Sequence, residues 1–139
     1  MIVLATTVAL AFAGLAAIHV YWALGGRHGA VAAIPEAKGK PLLQPGTAGT
    51  LVVAVLLTLA AAMVLQRAGV GPRFAPLLIN RCGTWGVAVA LMLRAIGDFN
   101  YVGLFKRRRG TRFARLDTLF CTPLTLALGV ATVVIATYG

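Results

Sequence analysis

Acidic residues are nearly missing: Glu36, Asp98 and Asp117 are the only three in a chain of 139 residues. Charged residues of both signs make up 12% of the chain, and hydrophobic residues make up 60%. So little charge excludes an ordinary soluble domain, in which about a quarter of residues are charged. It fits an integral membrane protein instead. The two cysteines, Cys82 and Cys121, make neither a CxxC pair nor a zinc-type spacing. One histidine inside an apolar run and three scattered acids do not form a metal ligand set, so neither metal nor cofactor is expected. A Gly-rich phosphate loop, an internal repeat and a low-complexity tail are all lacking. The length holds about four crossings of ~20 residues each and leaves no room for a separate soluble domain.

What is present is a set of apolar runs separated by basic or Pro/Gly-rich gaps. The expected fold is an all-α integral membrane four-helix bundle, antiparallel and up-down, in a single domain of residues 1–139. Its spans are expected at about 2–24, 47–66, 81–104 and 113–138. The first run is too long for a signal h-region, and no Lys or Arg precedes it, so it reads as a retained helix. Ala5, Ala9, Ala13 and Ala17 recur every four residues, a small-residue ridge suited to close helix packing. The run ends in HVYWALGG: His19 lies inside the helix end, Tyr21 and Trp22 suit an aromatic belt, and Gly25-Gly26 end the helix. The following loop, 27–49, carries Pro35, Pro41 and Pro45 and is long for a bundle. Residues 30–34 are apolar enough to dip into the interface. The loop reads either as a lid, with Pro35 and Glu36 over a site, or as a solvated linker. The second span contains no ionisable residue and reads as packing.

The stretch from Arg81 to Asp117 is the unusual one. Its apolar half can cross a bilayer, yet Arg94 and Asp98 sit within it, four residues apart. Each charge at mid-membrane costs roughly 2.5–3.5 kcal/mol on insertion scales, so something must compensate. Cys82, Gly86, Ala90, Arg94 and Asp98 fall on one helical ridge, with Tyr101 close to the same stripe. Small residues mark packing faces, so this ridge, Gly86 included, is expected to face a neighbouring helix. In the last span Asp117, Cys121, Thr125 and Gly129 form a second ridge, and Pro123 is expected to kink the helix beside Asp117.

The net charge of +10 is not a nucleic-acid signal, because the basic residues lie in the gaps between spans. Arg27, Lys38, Lys40, Lys106, Arg107, Arg108, Arg109, Arg112 and Arg115 fall on one side, and only Arg67, Arg73 and Arg81 on the other. Nine against three puts the richer side in the cytoplasm and both termini outside. The expected location is the inner or plasma membrane, with several passes. His19, Arg94, Asp98, Asp117 and Glu36 then gather in one leaflet. A purely structural set of ion pairs would explain them. A buried ion pair, however, is a poor stabiliser compared with apolar packing.

The blocks HVYWALGG, IPEAKGKP, LRAIGDFNYVGLFK and GTRFARLDTLFCTPL resemble a bacterial small-membrane-protein family, domain of unknown function 3995. The resemblance covers nearly the whole chain, and RAIGDFNYVG is its most specific part. It implies a four-helix membrane protein without assigned activity. It marks His19, Trp22, Gly25, Pro35, Arg94, Gly97, Asp98, Gly103, Phe105, Lys106, Phe113, Asp117 and Pro123 as motif positions. It supplies no catalytic role.

Three functional classes follow from the residues. The first is a polar cavity of His19, Trp22, Arg94, Asp98, Tyr101 and Asp117 that binds or transports a small anionic or zwitterionic molecule or a lipid head group. In it Arg94 is the anchor, Asp98 orients the guanidinium, and Asp117 and His19 exchange a proton. The second is an intramembrane enzyme using His19 and a carboxylate as acid and base on a lipid-like substrate. The third is a structural subunit that sets its basic loop against anionic lipid. Membrane lipids are expected partners in all three and nucleic acid in none; self-association is open.

Overall fold

Pro76, Gly97 and Pro123 decide where the polar residues of this chain end up, because they set the ends and the one irregularity of the helices around them. A computed structural model describes residues 1–30, 34–37, 40–41 and 46–139, with only the backbone of Glu36, Ala37 and Pro41. The elements are α1 (Ile2–Ala23), β1 (Glu36–Ala37), β2 (Lys40–Pro41), α2 (Thr47–Arg67), α3 (Leu77–Ile96), α4 (Arg112–Leu116) and α5 (Thr122–Tyr138). A π-helical turn, Asp117–Cys121, joins α4 to α5. α4, the π turn and α5 run on as one 27-residue helix. Among the described residues the architecture is therefore four helices, with one minimal antiparallel β1–β2 pairing in which Glu36 lies opposite Pro41.

Three helices, Ile2–Ala23, Thr47–Arg67 and Arg112–Tyr138, are long and apolar enough to cross a membrane. α3 has the length, 20 residues, but carries Asn80, Arg81 and Arg94 and is not among them. α1 packs chiefly on α2, and α3 on α5; α1 and α2 each also touch α5. The core where the pairs meet holds Ala5, Val8, Ala9, Phe12, Ala60, Val64, Leu128 and Ile135. Leu10, Leu51, Val55, Leu56 and Val89 are exposed, as lipid-facing residues of such a bundle are.

Helix packing corrects two sequence-based ridges. On α1 the buried face is Ala5, Val8, Ala9, Phe12 and Ala16, whereas Ala13 and Ala17 are exposed. A strict four-residue repeat drifts off a 3.6-residue turn, so the ridge leaves the interface after two steps. On α3 the buried face is Asn80, Thr84, Ala88 and Ala95. Cys82, Gly86 and Ala90 are exposed, and a Cβ on Gly86 would meet nothing within 4 Å. Asn80 donates to the Met63 carbonyl at 3.0 Å, and the Thr84 hydroxyl donates to the Asn80 carbonyl at 2.8 Å. These bonds let two polar residues line the buried face without an orphaned donor.

The third helix also has different ends from the expected 81–104. It starts after Pro76, whose extended ψ of 148° and missing N–H suit the cap position. It stops at Gly97, whose φ of +87° lies in the left-handed region that glycine adopts without steric cost. Arg94 is therefore in the last turn, and Asp98 is outside the helix.

At the 24–46 connection, the Trp22 indole N–H donates to the His28 carbonyl at 2.8 Å, and Tyr21 Oη is 3.0 Å from His28 Nδ1. Pro35 is half-buried. The expected interfacial dip falls mostly on residues 31–33, and Lys38 on 38–39, outside the described residues; the Glu36 side chain lies outside them too.

Candidate functional site

Pro123 prepares the centre of the site. It has no N–H to give to the Leu119 carbonyl, so the helical ladder before it is already irregular. The ladder widens there into a π turn, and Thr122 N–H reaches back to the Asp117 carbonyl instead. π turns inside α-helices often mark functional positions. The expected irregularity beside Asp117 is thus a π turn, which adds a residue and places both Asp117 and Thr122 on the buried side.

The Asp117 carboxylate has no exposed surface and is held by four donors. Oδ1 accepts from Arg94 Nη2 at 2.7 Å. Oδ2 accepts from Lys106 Nζ at 2.7 Å, Gly103 N at 3.0 Å and Thr122 Oγ1 at 3.0 Å. The Lys106 side chain is 1% exposed and that of Arg94 is 34% exposed. Two cations therefore share one anion. Arg94 Nη1 is buried and, among the described residues, has no hydrogen-bond partner.

The loop 97–111 brings Lys106 and Gly103 to Asp117 by folding back on the end of α3. Its crossing point is two glycines, both with left-handed φ, +87° at Gly97 and +91° at Gly103. A Cβ on Gly103 would lie 2.6 Å from Gly97 N, so the two backbones meet at a distance only glycine allows. Leu104 N–H then donates to the Ala95 carbonyl at 2.9 Å, satisfying an end of α3. Asp98 shapes the turn between the glycines. Its Oδ1 accepts from the N–H groups of Asn100, Tyr101 and Val102 at 3.0, 2.7 and 2.9 Å. Partial burial works against this carboxylate, but the N–H groups of Val102, Tyr101 and Asn100 outweigh it and hold the carboxyl below its ordinary pKa. Phe99, at a φ of +63°, is the non-glycine residue that takes up the sharpest part of the turn. On the far side, the Thr111 hydroxyl caps α4 by accepting from Ala114 N–H at 3.1 Å.

The structure thus brings together Arg94 and Asp117 from the sequence-based set and adds Lys106, Gly103 and Thr122. The expected pairing of Arg94 with Asp98 is not formed, because Gly97 ends the helix between them. Asp98 binds backbone instead of orienting the guanidinium. His19 Nδ1 is 2.7 Å from the Leu15 carbonyl, and its ring stands edge-on to Trp22 with centroids 5.0 Å apart. Both contacts stay on α1, whose main packing partner is α2. Tyr101 lies under the Arg108 guanidinium, 5.2 Å from the ring centroid. Lys106 reads in the sequence as the first of a basic run. Its distinguishing signal is its place next to the G-x-x-x-x-x-G loop, within reach of the end of α3.

A cavity of about 670 Å³ lies at the opposite end of the bundle, lined by the 66–77 segment, Asn80 and Gly139. Among the described residues, no three of His, Cys, Asp and Glu gather as metal ligands. No disulfide links Cys82 to Cys121.

No curated protein and no solved structure matches the chain. A family model described as "Protein of unknown function (DUF3995)" matches residues 12–132. That span contains every residue of the Asp117 cluster and of the glycine crossing, and on it the chain belongs to this family.

Proposed function

We propose that this membrane protein binds an anionic or zwitterionic small molecule, or a lipid head group, at the Arg94 end of the bundle, on the cytoplasmic side. One observation carries the reading. Asp117 neutralises one of the two cations bound to it, so the cluster keeps an excess positive charge, and the Arg94 guanidinium still has an unpartnered donor at Nη1. A guanidinium fixed on one edge by a carboxylate is pre-oriented to meet a second carboxylate or a phosphate with its other edge. Arg107, Arg108, Arg109, Arg112 and Arg115 are exposed around it and raise the local concentration of anions.

The closure of Asp117 favours a second reading, in which the cluster only latches the 97–111 loop to the bundle of a structural subunit. Arg94→Met separates the two. It leaves the buried Lys106–Asp117 pair one-to-one with the Gly103 N–H and Thr122 hydroxyl bonds intact, so the protein should stay folded. Native mass spectrometry of protein purified in neutral detergent should show a bound anionic lipid or metabolite on the wild type and its loss from Arg94→Met. Equal occupancy of the two proteins, at matched thermal midpoints, would leave the latch as the explanation.

A further inference from the structure

The end of the bundle away from Asp117 has a charge imbalance of its own. Arg67, Arg73 and Arg81 lie there, while Asp98 and Asp117 belong to the other end. Arg67 and Arg73 line the 670 Å³ cavity. Arg67 Nη2 donates to the Ala136 carbonyl at 3.2 Å, which fixes the guanidinium. Its Nε is buried and has no hydrogen-bond partner among the described residues. Two guanidinium groups in one cavity wall, with Asp98 and Asp117 at the other end of the bundle, favour an anionic head there.

Gln66, Asn80 and Gly139 also line the cavity, and the rest of its wall is apolar and held in shape. Phe74 and Leu77 line the cavity and are 50% and 72% exposed. The Gln66 side chain clamps the loop to α2 from both directions: Nε2 donates to the Ala75 carbonyl at 2.6 Å, and Oε1 accepts from Ala75 N–H at 3.2 Å. The cavity sits where two helices with lipid-facing sides end, so an occupant can lay an apolar chain along Phe74 and Leu77 and keep its head at the arginines.

We infer that this cavity, between the end of α2, the 68–76 loop and the start of α3, is a binding site for an anionic amphiphile. The ligand has one carboxylate or phosphate head, bound by Arg67 and Arg73, and an apolar tail against Phe74 and Leu77. A membrane phospholipid and a free fatty-acid-like molecule share this chemistry. The site is separate from the Arg94 cluster and does not depend on the reading of that cluster.

The test is a titration of the full chain in neutral maltoside detergent with dodecanoate, dodecyl phosphate, dodecanol and inorganic phosphate, followed by calorimetry. Dodecanoate and dodecyl phosphate should bind, whereas dodecanol and inorganic phosphate should be at least about tenfold weaker, since a charge-assisted bond is worth more than a factor of ten. Arg73→Gln should weaken the two anions about tenfold. Leu77→Glu, at the first position of α3 where an acid suits the helix dipole, should keep the fold and repel them. Arg27→Gln removes the same charge at the far end, at an exposed residue outside both sites, and should change nothing. The same variants in phosphatidylglycerol nanodiscs, read as retained lipid by mass spectrometry, report whether membrane lipid itself fills the site. Loss of retained lipid in Arg73→Gln and Leu77→Glu identifies the phospholipid source, and unchanged retention the free amphiphile. Equal weakening by Arg27→Gln, or equal binding of dodecanol, would overturn the proposal.

Discussion

At the scale of single residues, Asp117 is the position where a substitution does most harm. It is fully buried and holds two cations, one of them itself 99% buried by side chain. Removing one partner of a buried pair leaves an uncompensated charge, at a cost of about 3–5 kcal/mol. Asp117→Leu should therefore lower stability by at least that amount, because it strands both Arg94 and Lys106. Arg94→Met should cost much less, because one cation and one anion remain. Thermal unfolding in one detergent, with both variants side by side, checks the order; a reversed order would mean that Lys106 is not the principal counter-ion. Gly103→Ala belongs to the same scale. The left-handed φ alone costs roughly 1–2 kcal/mol for a residue with a Cβ, and at this crossing the Cβ also meets the Gly97 backbone. It should loosen the loop and, through it, the Lys106 contact, which a Gly103→Ala protein with wild-type proteolytic resistance between α3 and α4 would contradict.

At the scale of elements, the helix ends explain both what the sequence discloses and what it hides. Apolar length and Gly25-Gly26 suffice to place α1 to within a residue, and the 47–66 run to within a residue of α2. The third helix is displaced because Arg94-Ala95-Ile96-Gly97-Asp98 keeps a plausible helical spacing through a glycine. Only the turn chemistry beyond it, Asp98 with Asn100 and Gly103, marks the break. The polar centre is legible as residue types, since Arg94 and Asp117 are the charges a membrane helix cannot leave unpaired. Its partner set is not, because Lys106 reaches Asp117 only through a backward loop that no periodicity reports. The same displacement decides the packing of α3. A Cβ on Gly129 would lie 2.9 Å from Met92 Sδ and 3.3 Å from Leu91 Cβ, whereas Gly86 faces open space. Gly129→Leu should overpack α3 against α5 at about 1–3 kcal/mol, and Gly86→Leu should be close to neutral; similar melting points for the two would place the helix interface elsewhere. Asp98 adds a pH dependence to the loop. Its folded-state pKa is lowered, so its contribution is complete above the ordinary carboxylate pKa of about 3.9. That contribution is lost as pH falls through the lower folded value. Wild type should be more stable than Asp98→Ala at pH 6, and the gap should close below pH 4, whereas a gap of constant size would show that the carboxylate is not what shapes the turn.

At the scale of the whole molecule, the proposed four crossings depend on the third helix. By composition α3 falls outside the set of candidate spans. Yet it packs along α5, and its Arg94 end meets Asp117 near the start of the long final helix, so the two run antiparallel. A 20-residue helix is ~30 Å long, about the thickness of the hydrocarbon core. In the proposed four-span arrangement α3 crosses alongside α5, at a cost limited because Asn80 and Thr84 are internally bonded and Arg94 is paired. Four crossings return both termini to one side. Three would separate them. The proposed orientation rests on charge: the 106–115 segment and the 24–46 connection carry nine basic residues against three at the other end, a bias of the kind that keeps loops in the cytoplasm. An alkaline-phosphatase-type reporter, active only outside the cytoplasm, should therefore be active after Gly139 and within the 68–76 loop. It should be silent within residues 107–111. An inactive fusion after Gly139 together with an active one at 68–76 would mean that α3 does not cross. Silent fusions at both, with activity at 107–111, would mean that the bundle is inverted and that Arg94 faces the exterior.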